Sequence, residues 1–254
     1  MKRNRLKEKL SRNELTIGSW ITIGHPAIPE ILSHAGFDWL VIDIEHTTID
    51  LSMVQTLIST IQSKDISALV RVSKNEEVVI KRVLDAGADG IIVPMVNSRV
   101  EAEKAIKYAK YPPDGSRGVG LARAQGYGYR FEEYKKEVND LIVIAQIEHF
   151  EGIDNLKSIL SVNGIDGTII GPYDLTGSLG VPGDFNNLDF IQYLKNYKQV
   201  SELANKPMGF HVVNSDYNKI VEKINEGYNV IAFGTDFIFM GDMALKGMHN
   251  IYGK

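Results

Sequence analysis

Acidic, basic and amide side chains recur at the ends of short apolar runs. WLVIDIEH (from Trp39) closes on Asp43, Glu45 and His46, SALVR (from Ser67) on Arg71, and LIVIAQIEH (from Leu141) on Gln146 and Glu148. GTIIGPYD brings Asp174, GFHVVN brings His211 and Asn214, and VIAFGTD brings Thr235 and Asp236. A carboxylate in apolar surroundings is costly unless it is paired, protonated or bound to a metal. Carboxylates crowded together repel unless a cation sits among them. Glu148 and Asp174 end consecutive runs, so they are candidate oxygen ligands of a hard divalent ion. Two carboxylates with waters and substrate oxygens suit Mg²⁺ or Mn²⁺, with Co²⁺ as a third candidate.

A divalent ion beside an arginine suits a 2-oxo acid. The ion chelates the carboxylate and ketone oxygens, and the Arg71 guanidinium stabilises an enolate oxygen. His46 supplies the base, histidine being the side chain that exchanges protons near neutral pH. Asp85, on the helix expected after the third run, is placed to orient that base. Schiff-base chemistry needs a lysine within or at the mouth of an apolar run. None of the runs holds one; Lys74 begins a helix and Lys206 precedes a strand. The chain has no organic-cofactor signature, and serine-hydrolase, zincin and P-loop motifs are absent. Each residue also has a local reading. Asp236 and Asp174 could cap helices, His211 could be a satisfied core histidine, and Arg71 could pair with a structural carboxylate.

Something must hold these groups at one level. Eight β-branched runs occur, starting at Leu15, Trp39, Ser67, Gly90, Leu141, Asp166, Pro207 and Val230. Most are apolar throughout, as in parallel strands covered on both faces. Helical patterns separate them: PEILSHAGF, NEEVVIKRVLDAG with Asn75 as the expected N-cap and Gly87 as the stop, SRVEAEKAIKYAK, EGIDNLKSIL, residues 187–205, and DYNKIVEKINEG. Eight alternating units predict an α/β fold, a (β/α)8 barrel in one domain spanning residues 1–254, with catalytic groups at the carboxyl ends of the strands. A doubly wound sheet would normally carry a glycine-rich loop after its first strand, and GHPAIP is not one. The long stretch from Pro112 to Arg130, rich in Gly, Arg and Tyr, reads as a functional loop.

Composition narrows the class. The 254 residues carry 28 basic and 32 acidic side chains, a net charge of −4 that gives no reason to expect nucleic acid or an anionic membrane as partner. There is no cysteine, which excludes disulfides, thiolate metal sites and a cysteine nucleophile. The opening MKRNRLKEKLSRNEL lacks a signal-peptide core, and no apolar run approaches a bilayer-spanning length, so a cytoplasmic location is expected.

GFDWLVIDIEHTTID, the stretch from Arg71 to Gly120, IAQIEHFEG and IGPYDLTGSLG resemble, in order and spacing, the HpcH/HpaI aldolase family of metal-dependent 2-oxo acid aldolases. The likeness runs from about Leu15 to Met240. It implies Glu148 and Asp174 as metal ligands, His46 as the base made more basic by Asp85, and Arg71 as the transition-state stabiliser. It also implies contacts to pyruvate from Gln146, the backbone at Tyr173, and Asp174, with Asp43 and Glu45 around the metal's waters. The implied reaction is reversible cleavage of a 4-hydroxy-2-oxo acid to pyruvate and an aldehyde. Family members typically form hexamers, trimers of dimers that exchange a C-terminal helix, here Phe237 to Tyr252; that segment could equally close the barrel of a monomer. Tyr173 stands where relatives often carry a smaller residue, and Thr22 to His25, Ser178 to Phe185 and LARAQGYGYR are segments that vary across the family; all would line the aldehyde side.

Three rivals remain open. An acyl-CoA lyase of citrate-lyase type would use Arg117, Arg123 and Arg130 for the nucleotide. An isomerase would bind phosphate after the last two strands. A non-enzymatic binding barrel would need no metal.

Overall fold

A computed structural model describes residues 2–253. The eight runs form eight parallel strands: β1 (Thr16–Ile21), β2 (Trp39–Asp43), β3 (Ser67–Arg71), β4 (Gly90–Val93), β5 (Ile142–Ile147), β6 (Gly167–Ile170), β7 (Met208–Val212) and β8 (Val230–Thr235). They pair in sequence order, and β8 returns to β1, closing the barrel. Around them lie α1 (Lys2–Ser11), α2 (Ala27–Leu32), α3 (Leu51–Ser63), α4 (Glu77–Asp85), α5 (Arg99–Ala109), α6 (Phe131–Glu137), α7 (Phe150–Asp154), α8 (Leu156–Leu160), α9 (Pro172–Ser178), α10 (Leu188–Leu203), α11 (Tyr217–Asn225) and α12 (Asp236–Tyr252).

Side chains alternate across each strand. One parity fills the barrel: Trp39, Val41, Leu69, Ile92, Ile144 and Ile169 belong to one buried interior cluster. The other parity, including Leu40, Ile42, Val70, Ile91, Val143 and Ile170, packs under the helices. Both faces are dry, so the runs are apolar throughout. Each fully buried Leu or Ile contributes roughly 1.5–3 kcal/mol.

The charged opening turns out to be a plug. Leu6 and Leu10 on α1 join the interior cluster, at the rim where the strands begin. Lys7 Nζ donates to Asp166 and to the Leu141 carbonyl, both just ahead of strands. α3 does not figure among the helices expected from sequence, although Val54, Leu57, Ile58 and Ile61 recur at helical spacing and Asp50 caps it by accepting from Met53 N. PEILSHAGF ends in a 3₁₀ turn rather than one helix. Glu76, not Asn75, is the N-cap of α4, because the Asn75 amide donates to the Glu101 carbonyl on the next helix; Gly87 does end the turn after α4.

The helices that follow the strands run back from the rim where the strands end. The long loop after α5 therefore lies at the opposite rim. It is pinned there by Arg117, which is fully buried, donates to Asp85 at 2.6 Å and to Tyr134 at 3.0 Å, and stacks on Tyr111. Arg123 reaches the Ala86 carbonyl and Gln62. LARAQGYGYR, expected beside the aldehyde, thus lies at the opposite rim of its own barrel, with Leu121, Tyr127 and Tyr129 exposed there.

Candidate active site

The interior column of β5 reads Ile142, Ile144, Gln146, with Glu148 one step beyond. Apolar side chains fill the barrel up to the level of Ile144, and the same face then turns polar at the carboxyl rim. Glu148 is 3% exposed. One oxygen accepts from the Met95 amide at 2.7 Å, and the other is held by the Gln146 side-chain amide. Met95 adopts φ 53°, a left-handed conformation uncommon for its type, which turns its amide onto Glu148. Sequence offers no signal for that amide. Burial raises the Glu148 pKa; Asp174 adds to this, and the two hydrogen bonds and Arg71 oppose it.

Asp174 stands in the first turn of α9, after N-cap Gly171 and Pro172, so it is not the cap itself. It is exposed, as is Tyr173, whose ring meets Phe185 edge-on at 5.0 Å. Gly171 makes room for its neighbour: a Cβ there would lie 2.9 Å from Glu148 Oε2.

Asp43 and Arg71 are register partners on β2 and β3. Arg71 Nε and Nη2 donate to the two Asp43 oxygens at 2.9 and 2.6 Å. Asp43 also accepts from the Glu45 amide at 3.0 Å. The guanidinium lies 4.4 Å over the Trp20 ring. Burial works against its charge, but the bond and charge of Asp43, with Glu45 and Glu148 behind, more than offset this and raise its pKa. Asp43 is therefore first a clamp on Arg71. The pairing expected as a local alternative is present, and Arg71 lines the cavity while making it.

Glu45 carries no such bond. Its Oε2 is buried without a hydrogen-bond partner, 3.3 Å from Arg71 Nε and 3.8 Å from His46 Nε2. Burial, then the charges of Glu148, Asp43 and Asp174 against that of Arg71, push its pKa to about 7. His46 is exposed at the cavity mouth. Asp85 does not join it within the chain: it ends α4 at the opposite rim, and its carboxylate is taken by Arg117. Neighbouring strand residues face opposite ways, so sequence gave no reason to set Glu45 beside His46; the turn after β2 does it.

Trp20, Asp43, His46, Arg71, Gln146 and Asp174 line a cavity of about 350 Å³. A second cavity of about 490 Å³, between Met95, Glu148, His149 and Pro182, shares Tyr173 and Asp174 with it. Asp236 is 2% exposed and serves neither. It accepts from the Thr22 and Ile23 amides at 2.8 Å and from the Thr22 hydroxyl, clasping the loop after β1 to the start of α12, whose N-cap is Thr235. His211 lines the first cavity and is unsatisfied at Nε2, so it is not a satisfied core histidine. Asn214 makes only a local turn contact, to the Asp216 amide. Arg130, like the other two loop arginines, is committed, to Glu133 and Glu137. None of the three faces the cavity as a nucleotide anchor would.

Comparison with known proteins agrees with this architecture. Residues 16–240 match the family model described as HpcH/HpaI aldolase/citrate lyase. A hydroxypyruvate/pyruvate aldolase from Roseobacter denitrificans is 35% identical over 93% of each chain. A 5-keto-4-deoxy-D-glucarate aldolase from Escherichia coli is 33% identical over 92% of this chain and 91% of its own. The crystal structure of an HpcH/HpaI aldolase/citrate lyase family protein from Burkholderia cenocepacia superposes with a TM-score of 0.93, at 29% identity, covering 98% of this chain and 99% of that one. A closed barrel with its acids and single arginine at the carboxyl rim, matched along nearly its whole length, is a carbon–carbon lyase that belongs to the HpcH/HpaI aldolase/citrate lyase family.

Proposed function

We propose that the chain is a divalent-metal-dependent aldolase that reversibly cleaves a 4-hydroxy-2-oxo acid to pyruvate and an aldehyde. The observation that carries this reading is the rim itself: Glu148 and Asp174 line one cavity, Glu45 lies near enough to feel the charge of both, and the Arg71 guanidinium beside Glu45 is gripped at both prongs by Asp43. Glu45 held at a pKa of about 7, with a buried oxygen that accepts no hydrogen bond, supports a place short of positive charge even with Arg71 3.3 Å away. The donors are all hard oxygens, which fits Mg²⁺ or Mn²⁺. Among the described residues no three His, Asp or Glu side chains form a ready metal cage. Two protein carboxylates with water and substrate completing the sphere is a usual way to hold Mg²⁺. Glu148 and Asp174 would hold it, with Glu45 next to the bound water. The relatives' names, aldolases acting on hydroxypyruvate, pyruvate or a keto-deoxy sugar acid, point the same way.

When bound, the ion acts as a Lewis acid on the ketone oxygen of the 2-oxo acid. Arg71, fixed by Asp43 and packed on Trp20, donates to the same developing negative charge without having to reorganise. Gln146 and the backbone at Tyr173 orient the carboxylate. His46 Nε2 removes the proton of the 4-hydroxyl, the C3–C4 bond breaks, and its electron pair forms the pyruvate enolate as the aldehyde departs. Protonation at C3 then gives the methyl group of pyruvate. Glu45, 3.8 Å away, stabilises the imidazolium in the interval.

The exposed side chains of α12, among them Met240, Met243, Leu245, Met248, Ile251 and Tyr252, support a homo-oligomer in which this helix packs on another copy. After Phe239, which packs on Phe233, the helix does little to close its own barrel.

The test is solvent-deuterium exchange of the pyruvate methyl group, followed by NMR. Exchange that stops on EDTA treatment and returns with Mn²⁺ or Mg²⁺ is expected. Undiminished exchange after metal removal, or none in any condition, overturns the reading.

A further inference from the structure

One backbone position at the carboxyl rim is strained. Met95, two residues past the end of β4, has φ 53°. Four other described residues that are not glycine share a positive φ: Asn13, Asp65, Tyr127 and Asn205. Three of them are Asn or Asp, the types that tolerate the left-handed region, and Tyr127 lies in the long loop at the opposite rim. Methionine has no such tolerance, so its surroundings must hold it in that conformation.

The side chain does not hold it. Met95 is 47% exposed, lines the second cavity and belongs to neither packed apolar cluster. Its thioether is a soft donor, a poor match for Mg²⁺ or Mn²⁺. The main chain is what holds it. Pro94 before it has a fixed φ, and Val96 after it is fully buried. The Val96 N–H donates to the Gln146 carbonyl at 3.2 Å. The Met95 N–H donates to Glu148 Oε1 at 2.7 Å, and the Gln146 side-chain amide donates to Oε2. These three bonds close a ring between the end of β4 and the end of β5, and the Glu148 carboxylate is part of it. An ordinary φ at position 95 would turn the amide away and open the ring.

We propose that Met95 is a positioning residue for the cation: its left-handed backbone, rather than its side chain, aims the amide that orients Glu148. This rests on the reading of Glu148 as a metal ligand. An ionised carboxylate offers about four lone-pair sites. Met95 and Gln146 take one on each oxygen, so the directions of the others are set before an ion arrives. The strain at Met95 is the cost of a ligand that does not have to be reoriented when metal binds.

The experiment is calorimetric titration of Mn²⁺ into the metal-free protein, without substrate, for the wild type, Met95→Gly and Met95→Val. A backbone role and a side-chain role predict opposite orders. Glycine adopts the left-handed conformation freely and keeps the amide in place, so Met95→Gly should bind Mn²⁺ within about threefold of wild type. Valine is β-branched and excluded from that conformation, so Met95→Val, although closer to methionine in size and polarity, should bind about tenfold or more weakly. Thermal melts in EDTA give a second readout that serves if the valine form does not fold. Met95→Gly should melt no lower than Met95→Ala, the reverse of the order at an ordinary position. Mn²⁺ binding lost in Met95→Gly, or retained in Met95→Val, overturns the proposal, as does a glycine form that melts below the alanine form. A wild type that binds no Mn²⁺ would instead overturn the metal reading beneath it.

Discussion

At the scale of single residues, the chemistry depends on which carboxylate is bound to what. Asp43 is consumed by Arg71, Asp85 by Arg117, and Glu45 is left open beside His46. Asp43, Arg71 and Glu148 were legible in sequence because each ends an apolar run, where the inward-facing position meets the cavity, and Asp174 because it follows such a run in the first turn of the next helix. The partner of His46 was not legible. Asp85 sits on a helix leaving the rim, so an argument from chain order places it near the base when nine helical residues carry it away. Replacing Arg71 with lysine keeps the charge and loses the two-pronged grip on Asp43. Steady-state kinetics should show kcat down on the order of a hundredfold; a lysine form within about threefold of wild type would remove the guanidinium geometry from the account. Glu45 gives a pH signature. Its folded pKa of about 7 lies above the ordinary 4.5, so the folded state favours the protonated acid. Its contribution to stability is complete below about pH 4.5 and is lost as pH rises through 7. In EDTA the Tm of the wild type should fall between pH 5 and 8 more steeply than that of Glu45→Gln. Parallel Tm profiles for the two proteins would contradict the assignment.

At the scale of elements, periodicity located all eight strands, because burial on both faces leaves a continuous apolar run that is hard to miss. Features made by tertiary contact were invisible. The bulge at Gly234, the Met95 amide turned onto Glu148 and the Asp236 clasp on Thr22 and Ile23 depend on neighbours far away in sequence. Helix α3 was readable, since its apolar spacing and its Asp50 cap are ordinary signals. The turn from β6 into α9 brings the two proposed ligands together, and Gly171 is what lets it pass Glu148 so closely. Gly171→Ala should therefore weaken Mn²⁺ binding by about tenfold or more while Tm moves only a few degrees, because the Cβ displaces a ligand oxygen and not the core. Calorimetric titration with Mn²⁺ checks this. Unchanged affinity would mean that Glu148 is not a ligand.

At the scale of the whole molecule, closure of the sheet brings side chains from β1, β2, β3, β5, β7 and β8 to one cavity, while α1 seals the other end with Leu6 and Leu10. Among the described residues no helix is long and apolar enough to cross a membrane. The barrel was foreseeable from eight alternating units; the destination of the long loop was not, since sequence does not say at which rim a helix ends until the strands are counted into place. This closed ring is expected to set Glu148 and Asp174 about one hard cation. Crystals grown metal-free, soaked in Mn²⁺ with pyruvate and measured at the manganese edge, test it directly. An anomalous peak between the two carboxylates, with pyruvate oxygens completing its ligands, is expected. No peak there, or a peak elsewhere in the cavity with Glu148 still bound only to Met95 and Gln146, would contradict it.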